Sequence, residues 1–155
     1  VDGITARLAG HARIGLDTSV FIYHFEAHPG YLPLTTVIFE GVFSGRWPAL
    51  TSTITLMELT VLPWRQNRPQ VAQGYEALLV NFPNLVMVDI DRDIARRAAQ
   101  LRAEYNLRPA DALQIGAAIV NDATAWVGND RTHLRVSNEI AVVLLEEMLP
   151  KESGP

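Results

Sequence analysis

The sequence predicts an α/β protein in which a mainly parallel sheet is sandwiched between two layers of helices, and three observations carry that prediction. Short apolar, β-branched runs alternate with amphipathic helical stretches along most of the chain. The apolar positions are spread over many short segments separated by Gly, Pro and polar breaks. At 155 residues, 48% hydrophobic and 19% charged, the chain is long enough for one well-cored domain and short for two. We therefore read residues 1–155 as a single unit with its core over about 13–145.

The elements follow in order. Arg13 to Leu16 is a short apolar strand that stops at Asp17-Thr18-Ser19, where a capping residue opens the helical pattern Val20, Phe21, Ile22, Phe25. Pro29-Gly30 breaks the chain before a second helix over Leu34 to Phe43, and Ala49 to Thr51 reads as a strand. Thr53 or Thr55 starts a helix to about Val61 that Pro63 should end, and Pro69 starts another to about Asn81. Leu85 to Val88 has the composition of a buried strand. Ile94, Ala98, Leu101 and Tyr105 mark a helix from Asp91 to Tyr105, Pro109 suits the first turn of one running to about Asn121, and Ala125 to Val127 and Ile140 to Leu145 complete the strands. Lys151 to Pro155 is expected to fray.

Composition narrows the chemistry. With no cysteine, thiolate nucleophiles, disulfides and Cys-based metal sites are excluded, so any metal must sit on oxygen or imidazole. The net charge of −4 argues against a protein that coats nucleic acid through a basic surface, although cations bound at a carboxylate site would offset it locally. No apolar run approaches the roughly 20 residues of a membrane helix and the N-terminus has no secretory layout, so a cytoplasmic protein is expected.

The chain has 17 acids, and a physical rule selects four: an ionised carboxylate on a face that should be buried is costly unless it is paired or bound to a cation. Asp17 and Asp130 close apolar strands at the sheet end where ligands bind. Glu58 has Ile54, Val61 and Leu62 as its one-turn neighbours, and Asp111 lies in the first turn after Pro109, stacked with Ile115 and Ala118. Glu40 and Glu76 have polar neighbours and can face water. The competing structural explanation, helix capping and dipole stabilisation, applies to Asp17 and Asp111 singly but gives Glu58 no role. Converging carboxylates about 4 Å apart would repel by about 4 kcal/mol per pair at an effective dielectric near 20. Protons or a divalent cation must relieve that repulsion, and hard oxygen donors favour Mg²⁺ or Mn²⁺.

Four segments carry a family likeness: Gly15-Leu16-Asp17-Thr18-Ser19-Val20-Phe21-Ile22-Tyr23, Thr55-Leu56-Met57-Glu58-Leu59, Arg108-Pro109-Ala110-Asp111-Ala112-Leu113-Gln114 and Gly128-Asn129-Asp130. In this order and spacing they resemble the PIN domain, and within it the VapC-like ribonuclease toxins. The resemblance implies a parallel-sheet nuclease that binds one or two Mg²⁺ or Mn²⁺ ions and cuts RNA. By motif position, Asp17 and Asp111 match the main metal ligands, Glu58 the second acid and Asp130 the fourth, with Thr18, Ser19 and Asn129 as supporting polar residues. The likeness also implies an antitoxin partner, which would insert a short peptide or an arginine into the cleft, and a homodimer built on apolar residues of the Leu34 to Phe43 and Trp64 to Leu79 segments. One departure stands out: family members usually carry Thr or Ser where this chain has Gly128.

Other signals are weaker. His24 and His28 have helical spacing but lack the Glu that a metalloprotease helix places after its first His. Asp89, Asp91 and Asp93 imitate a calcium loop, but Ile94 stands where its Gly is required, so Asp91 is read as a helix cap. Arg131, next to Asp130, is the favoured RNA contact and Arg108 the second choice; Arg92, Arg96, Arg97 and Arg102 are more ordinary, with Asp93 and Arg97 at pairing distance. Three alternatives remain at this stage: an idle scaffold that keeps the fold for protein binding, an RNA-processing nuclease without an antitoxin, and a phosphotransferase or phosphatase using Asp17 as nucleophile. The last lacks the second Asp such enzymes place two residues on, where Ser19 stands.

Overall fold

The computed structural model describes residues 2–151, so residues 152–155 of the expected C-terminal tail lie outside it. Five strands, β1 (Ile14–Leu16), β2 (Ala49–Ser52), β3 (Leu85–Val88), β4 (Ala125–Gly128) and β5 (Ala141–Leu144), form one sheet in the order β3-β2-β1-β4-β5. Every neighbouring pair is parallel. The register sets Ile14 beside both Ala49 and Ala125, and Leu16 beside Val127.

Among the described residues seven helices cover the sheet: α1 (Asp2–Leu8), α2 (Thr18–Phe25), α3 (Leu32–Phe43), α4 (Thr53–Arg65), α5 (Pro69–Asn81), α6 (Arg92–Tyr105) and α7 (Pro109–Val120). Strand residues alternate between two cores, as the pleat requires. Ala125, Val127 and Val143 pack with the apolar faces of α1 to α3, whereas Trp126, Val142 and Leu144 pack with α6 and α7. Both faces of the central strands are thus buried, which explains why they read as continuous apolar runs. Gly15 is required by this packing, since a Cβ there would meet the Ala118 Cβ and the Trp126 ring, each at 2.8 Å.

The sequence reading needs three local corrections. Pro63 does not end α4, which Ser52 caps through its side chain and which continues to Arg65. Proline removes one amide donor near the helix end, and the remaining turn is closed by Gln66 N–H to Leu62 O and Arg68 N–H to Pro63 O. β3 is an edge strand rather than a buried one, and its Val86 is 58% exposed. Helix α1 and two 3-10 turns, Arg131–Val136 and Leu145–Met148, had no periodic signal. Among the described residues no helix is long and apolar enough to cross a membrane.

The strand order places the site. From β1 the chain moves outward to β2 and β3, then returns to add β4 and β5 on the other side. The switch therefore falls between β1 and β4, and a cleft opens beyond their carboxyl ends. Asp17 directly follows β1, and Asn129-Asp130 directly follows β4.

Candidate active site

A cleft of about 360 Å³ at this switch point is lined by all four selected acids, Asp17, Glu58, Asp111 and Asp130, together with Arg108 and His133. Each acid arrives from a different element.

Asp17 is pinned by its own backbone, whose N–H donates to Val127 O at 2.9 Å. It occupies the N-cap position of α2, yet its side chain makes no capping bond, so the capping explanation fails for this residue. Its Oδ2 instead accepts from Ser19 Oγ at 2.9 Å. Gly128 lies against it: a Cβ at that glycine would sit 3.2 Å from Asp17 Cβ and 3.4 Å from its Oδ2. Burial, the largest influence, pushes the Asp17 carboxyl above its ordinary value of 3.8.

Glu58 corrects the sequence reading. It is exposed rather than buried, because Met57, Val61, Leu62 and Trp64 are themselves solvent-facing and apolar neighbours on α4 do not mark a core face. Its Oε1 accepts from Thr18 Oγ1 at 2.8 Å across the cleft edge. Desolvation of the carboxylate raises its pKa, with Asp17 and Asp111 adding to the effect and Thr18 opposing it.

Asp111, in the first turn of α7, accepts from Arg108 Nε at 3.0 Å on Oδ2 and has His133 Nε2 3.4 Å from Oδ1. Asp130 caps the following turn with one oxygen, Oδ1, which accepts from Thr132 N at 2.9 Å and Thr132 Oγ1 at 2.7 Å. Its other oxygen accepts from Arg108 Nη2 at 3.0 Å. Thr132 thus anchors the carboxylate that follows the hydroxyl-free Gly128. Burial disfavours charge on both acids, but for Asp111 His133 and Arg108 outweigh it, and for Asp130 the Thr132 bonds and His133 do, so both pKa values lie below the ordinary 3.8.

His133 is the residue that sequence reasoning missed. It is buried in the turn after Asp130, and one ligand atom each from Asp111, Asp130 and His133 lie within 4.8 Å of one another. Trp126 Nε1 donates to His133 Nδ1 at 3.1 Å. An indole nitrogen can only donate, so the neutral imidazole keeps its proton on Nε2, which faces Asp111 and has no hydrogen-bond partner among the described residues. In that state Nε2 is a donor rather than a metal ligand. Burial resists a charge on this ring, but Asp111 and then Asp17 pull its pKa above 6.5. The only available signal was its position three residues after Asp130.

The arginines exchange ranks. Arg131 pairs with Glu146 at 2.8 Å and does not line the cleft, whereas Arg108 lies in it and bridges two of the acids. Asn129 donates to Tyr23 OH at 3.2 Å and accepts from Glu146 N at 2.8 Å, tying the turn after β4 to α2. Elsewhere Asp91 caps α6 as expected, and Asp93 pairs with Arg96 rather than Arg97, which joins Glu139. His24 contacts Thr35 Oγ1 and the Phe39 ring, with no ligand cluster around it among the described residues.

The donor set fits a divalent cation. Carboxylate oxygens dominate it, and the Arg108 guanidinium already holds positive charge between Asp111 and Asp130.

Comparison with known proteins bears on the fold and the family. The chain resembles a protein of a toxin–antitoxin complex from Klebsiella pneumoniae at 21% identity and TM-score 0.62, covering 85% of this chain and 97% of that one. It resembles a chain of DNA-bound VapBC from Salmonella typhimurium at 23% identity and TM-score 0.66, with 86% and 98% covered. A chain of VapBC2 from Rickettsia felis, bound to a promoter DNA fragment, matches at 18% identity and TM-score 0.64, with 85% and 98% covered. At these identities the likeness establishes the fold. No curated protein matches the sequence. The PIN domain profile matches residues 14–139, nearly the whole folded core, and the chain belongs to the PIN domain family.

Proposed function

We propose that this protein is a metal-dependent endoribonuclease and the toxin of a type II toxin–antitoxin pair. One observation carries the reading: four acids from four separate elements meet in one cleft at the switch point of a parallel sheet. The structural neighbours support the biological role, since one chain comes from a toxin–antitoxin complex and two from DNA-bound VapBC and VapBC2.

Asp17, Asp111 and Asp130 would hold one or two Mg²⁺ or Mn²⁺ ions, with Glu58 at the open side of the cleft. Such an ion, when bound, lowers the pKa of a water ligand and polarises the scissile phosphate. The chain's own residues do the rest. Ser19 and Thr132 fix the directions of Asp17 and Asp130, His133 presents an N–H toward Asp111, and Glu58 orients the attacking water. Arg108 is the cation best set to meet the RNA backbone, being exposed and tethered only by ion pairs. Arg131, held by Glu146, is secondary. An antitoxin would cover the cleft in the cytoplasm. Of the two segments expected to carry a homodimer, Leu34 to Phe43 buries Leu34, Ile38, Phe39 and Val42 and exposes Phe43, so Trp64 and Leu78 of the other, with Met57 and Val61 of α4, are the residues more available for one.

Incubation of the purified protein with structured RNA and Mn²⁺ tests the activity. Cleavage that stops with chelator and is absent in Asp111→Asn is the expected result. Cleavage that persists in either case overturns it, and a folded protein that neither cleaves RNA nor binds Mn²⁺ favours the idle scaffold.

A further inference from the structure

Beneath the cleft floor, where β2, α2, α4 and α7 meet, Thr18, Thr51, Ser52, Thr55 and Gln114 form a buried polar group. Buried polar atoms need partners, and here the partners fix the direction of nearly every proton. Thr51 Oγ1 lies 3.0 Å from Leu16 O, a pure acceptor, so the Thr51 proton points there. The 2.7 Å contact between Thr55 and Thr51 must then use the Thr55 proton. Ser52 Oγ accepts from Ile54 N–H and donates to Gln114 Oε1.

That contact turns the Gln114 amide nitrogen toward two hydroxyls, and Nε2 donates to Thr18 Oγ1 at 2.9 Å and to Thr55 Oγ1 at 2.8 Å. Thr18, having accepted from the amide, retains one proton with two neighbours, Thr55 Oγ1 at 3.1 Å and Glu58 Oε1 at 2.8 Å. The shorter bond to the charged oxygen is the stronger. A flipped amide fails the same accounting. Its carbonyl would draw both threonine protons and leave the Thr51–Thr55 and Thr18–Glu58 contacts without a hydrogen.

We propose that Gln114 is a positioning residue of this site: its amide, oriented by Ser52, commits the Thr18 hydroxyl to Glu58 and so fixes that carboxylate at the cleft edge. This rests on the nuclease reading given above. Gln114 does not line the cleft and acts only through Thr18. Thr18 is the sole hydrogen-bond partner of Glu58 among the described residues, so the carboxylate has no second tether.

A kinetic cycle tests the inference. With RNA and Mn²⁺, Gln114→Leu and Thr18→Val each lower kcat about 10-fold at nearly constant KM, and the double variant is no worse than either single one. Thr18→Ser, which keeps the hydroxyl, retains activity. Unchanged kcat in a folded Gln114→Leu protein, or losses that multiply to about 100-fold, overturn the proposal. Gln114→Glu, nearly isosteric, reverses the amide's role and is the substitute if the leucine variant does not fold; it should show the same loss. If the wild type cleaves no RNA, the nuclease reading fails by itself, and crystal structures decide the positioning. Glu58 released from Thr18 in the Gln114 variant supports it, and Glu58 unmoved overturns it.

Discussion

The two halves of the cleft solve the same electrostatic problem differently. On one side, Asp111 and Asp130 are bridged by Arg108 and faced by His133, and both carboxyls are held below their ordinary pKa. On the other, Asp17 and Glu58 are held by the hydroxyls of Ser19 and Thr18, with no ion pair to either among the described residues, and burial pushes both up although His133 opposes it at Asp17. A hydroxyl orients a carboxylate but cannot neutralise it. The cation-poor half is therefore the part of the fold that an added divalent ion would stabilise most.

Asp17→Asn breaks the contrast most severely. Cleavage should fall by about 10³-fold or more, because the variant loses an anionic ligand while its shape is kept. The metal-free variant should nevertheless melt higher near pH 8, by about 2–4 °C for each kcal/mol of relieved strain, which thermal unfolding with chelator will measure.

His133→Phe should reduce cleavage about 10-fold by removing the N–H aimed at Asp111, while His133→Gln, which restores a donor there, should recover most of it. Equal losses in the two would mean that His133 acts through bulk alone. Arg108→Met should act in the opposite sense on ion binding. With the bridge gone, Mn²⁺ affinity should rise about 3-fold by titration, while KM for RNA increases as a phosphate contact is lost.

The smallest effect concerns pH. The folded protein binds a proton at Asp17 more tightly than the unfolded chain does, so the Asp17 contribution to metal-free stability is present below 3.8 and lost as pH rises through the elevated folded value. The melting advantage of Asp17→Asn should therefore be greatest at pH 8 and shrink on acidification. An advantage independent of pH would remove the electrostatic explanation.

Much of this was legible in the sequence. Strand and helix order followed from periodicity, because central strands buried on both faces and helices with clear starts leave strong local patterns. Asp17, Asp111 and Asp130 were legible because each ends a strand or starts a helix at the ligand-binding end of the sheet. Glu58 was found for a reason that did not hold, since its apolar neighbours turned out to be surface residues. His133 and Gln114 were not identified as site residues because their roles depend on contacts with Trp126 and Thr18, 7 and 96 positions away in the chain. Arg131 was preferred to Arg108 on sequence adjacency, and the turn after Asp130 carries it toward Glu146 instead.

The most direct measurement is a crystal structure of the protein soaked with Mn²⁺, using anomalous scattering to locate the ion. The account predicts manganese between Asp17 and Asp111, with the Arg108 side chain displaced from its bridge. Manganese bound only outside the cleft, or ordered manganese in the cleft of Asp17→Asn at wild-type occupancy, would contradict it.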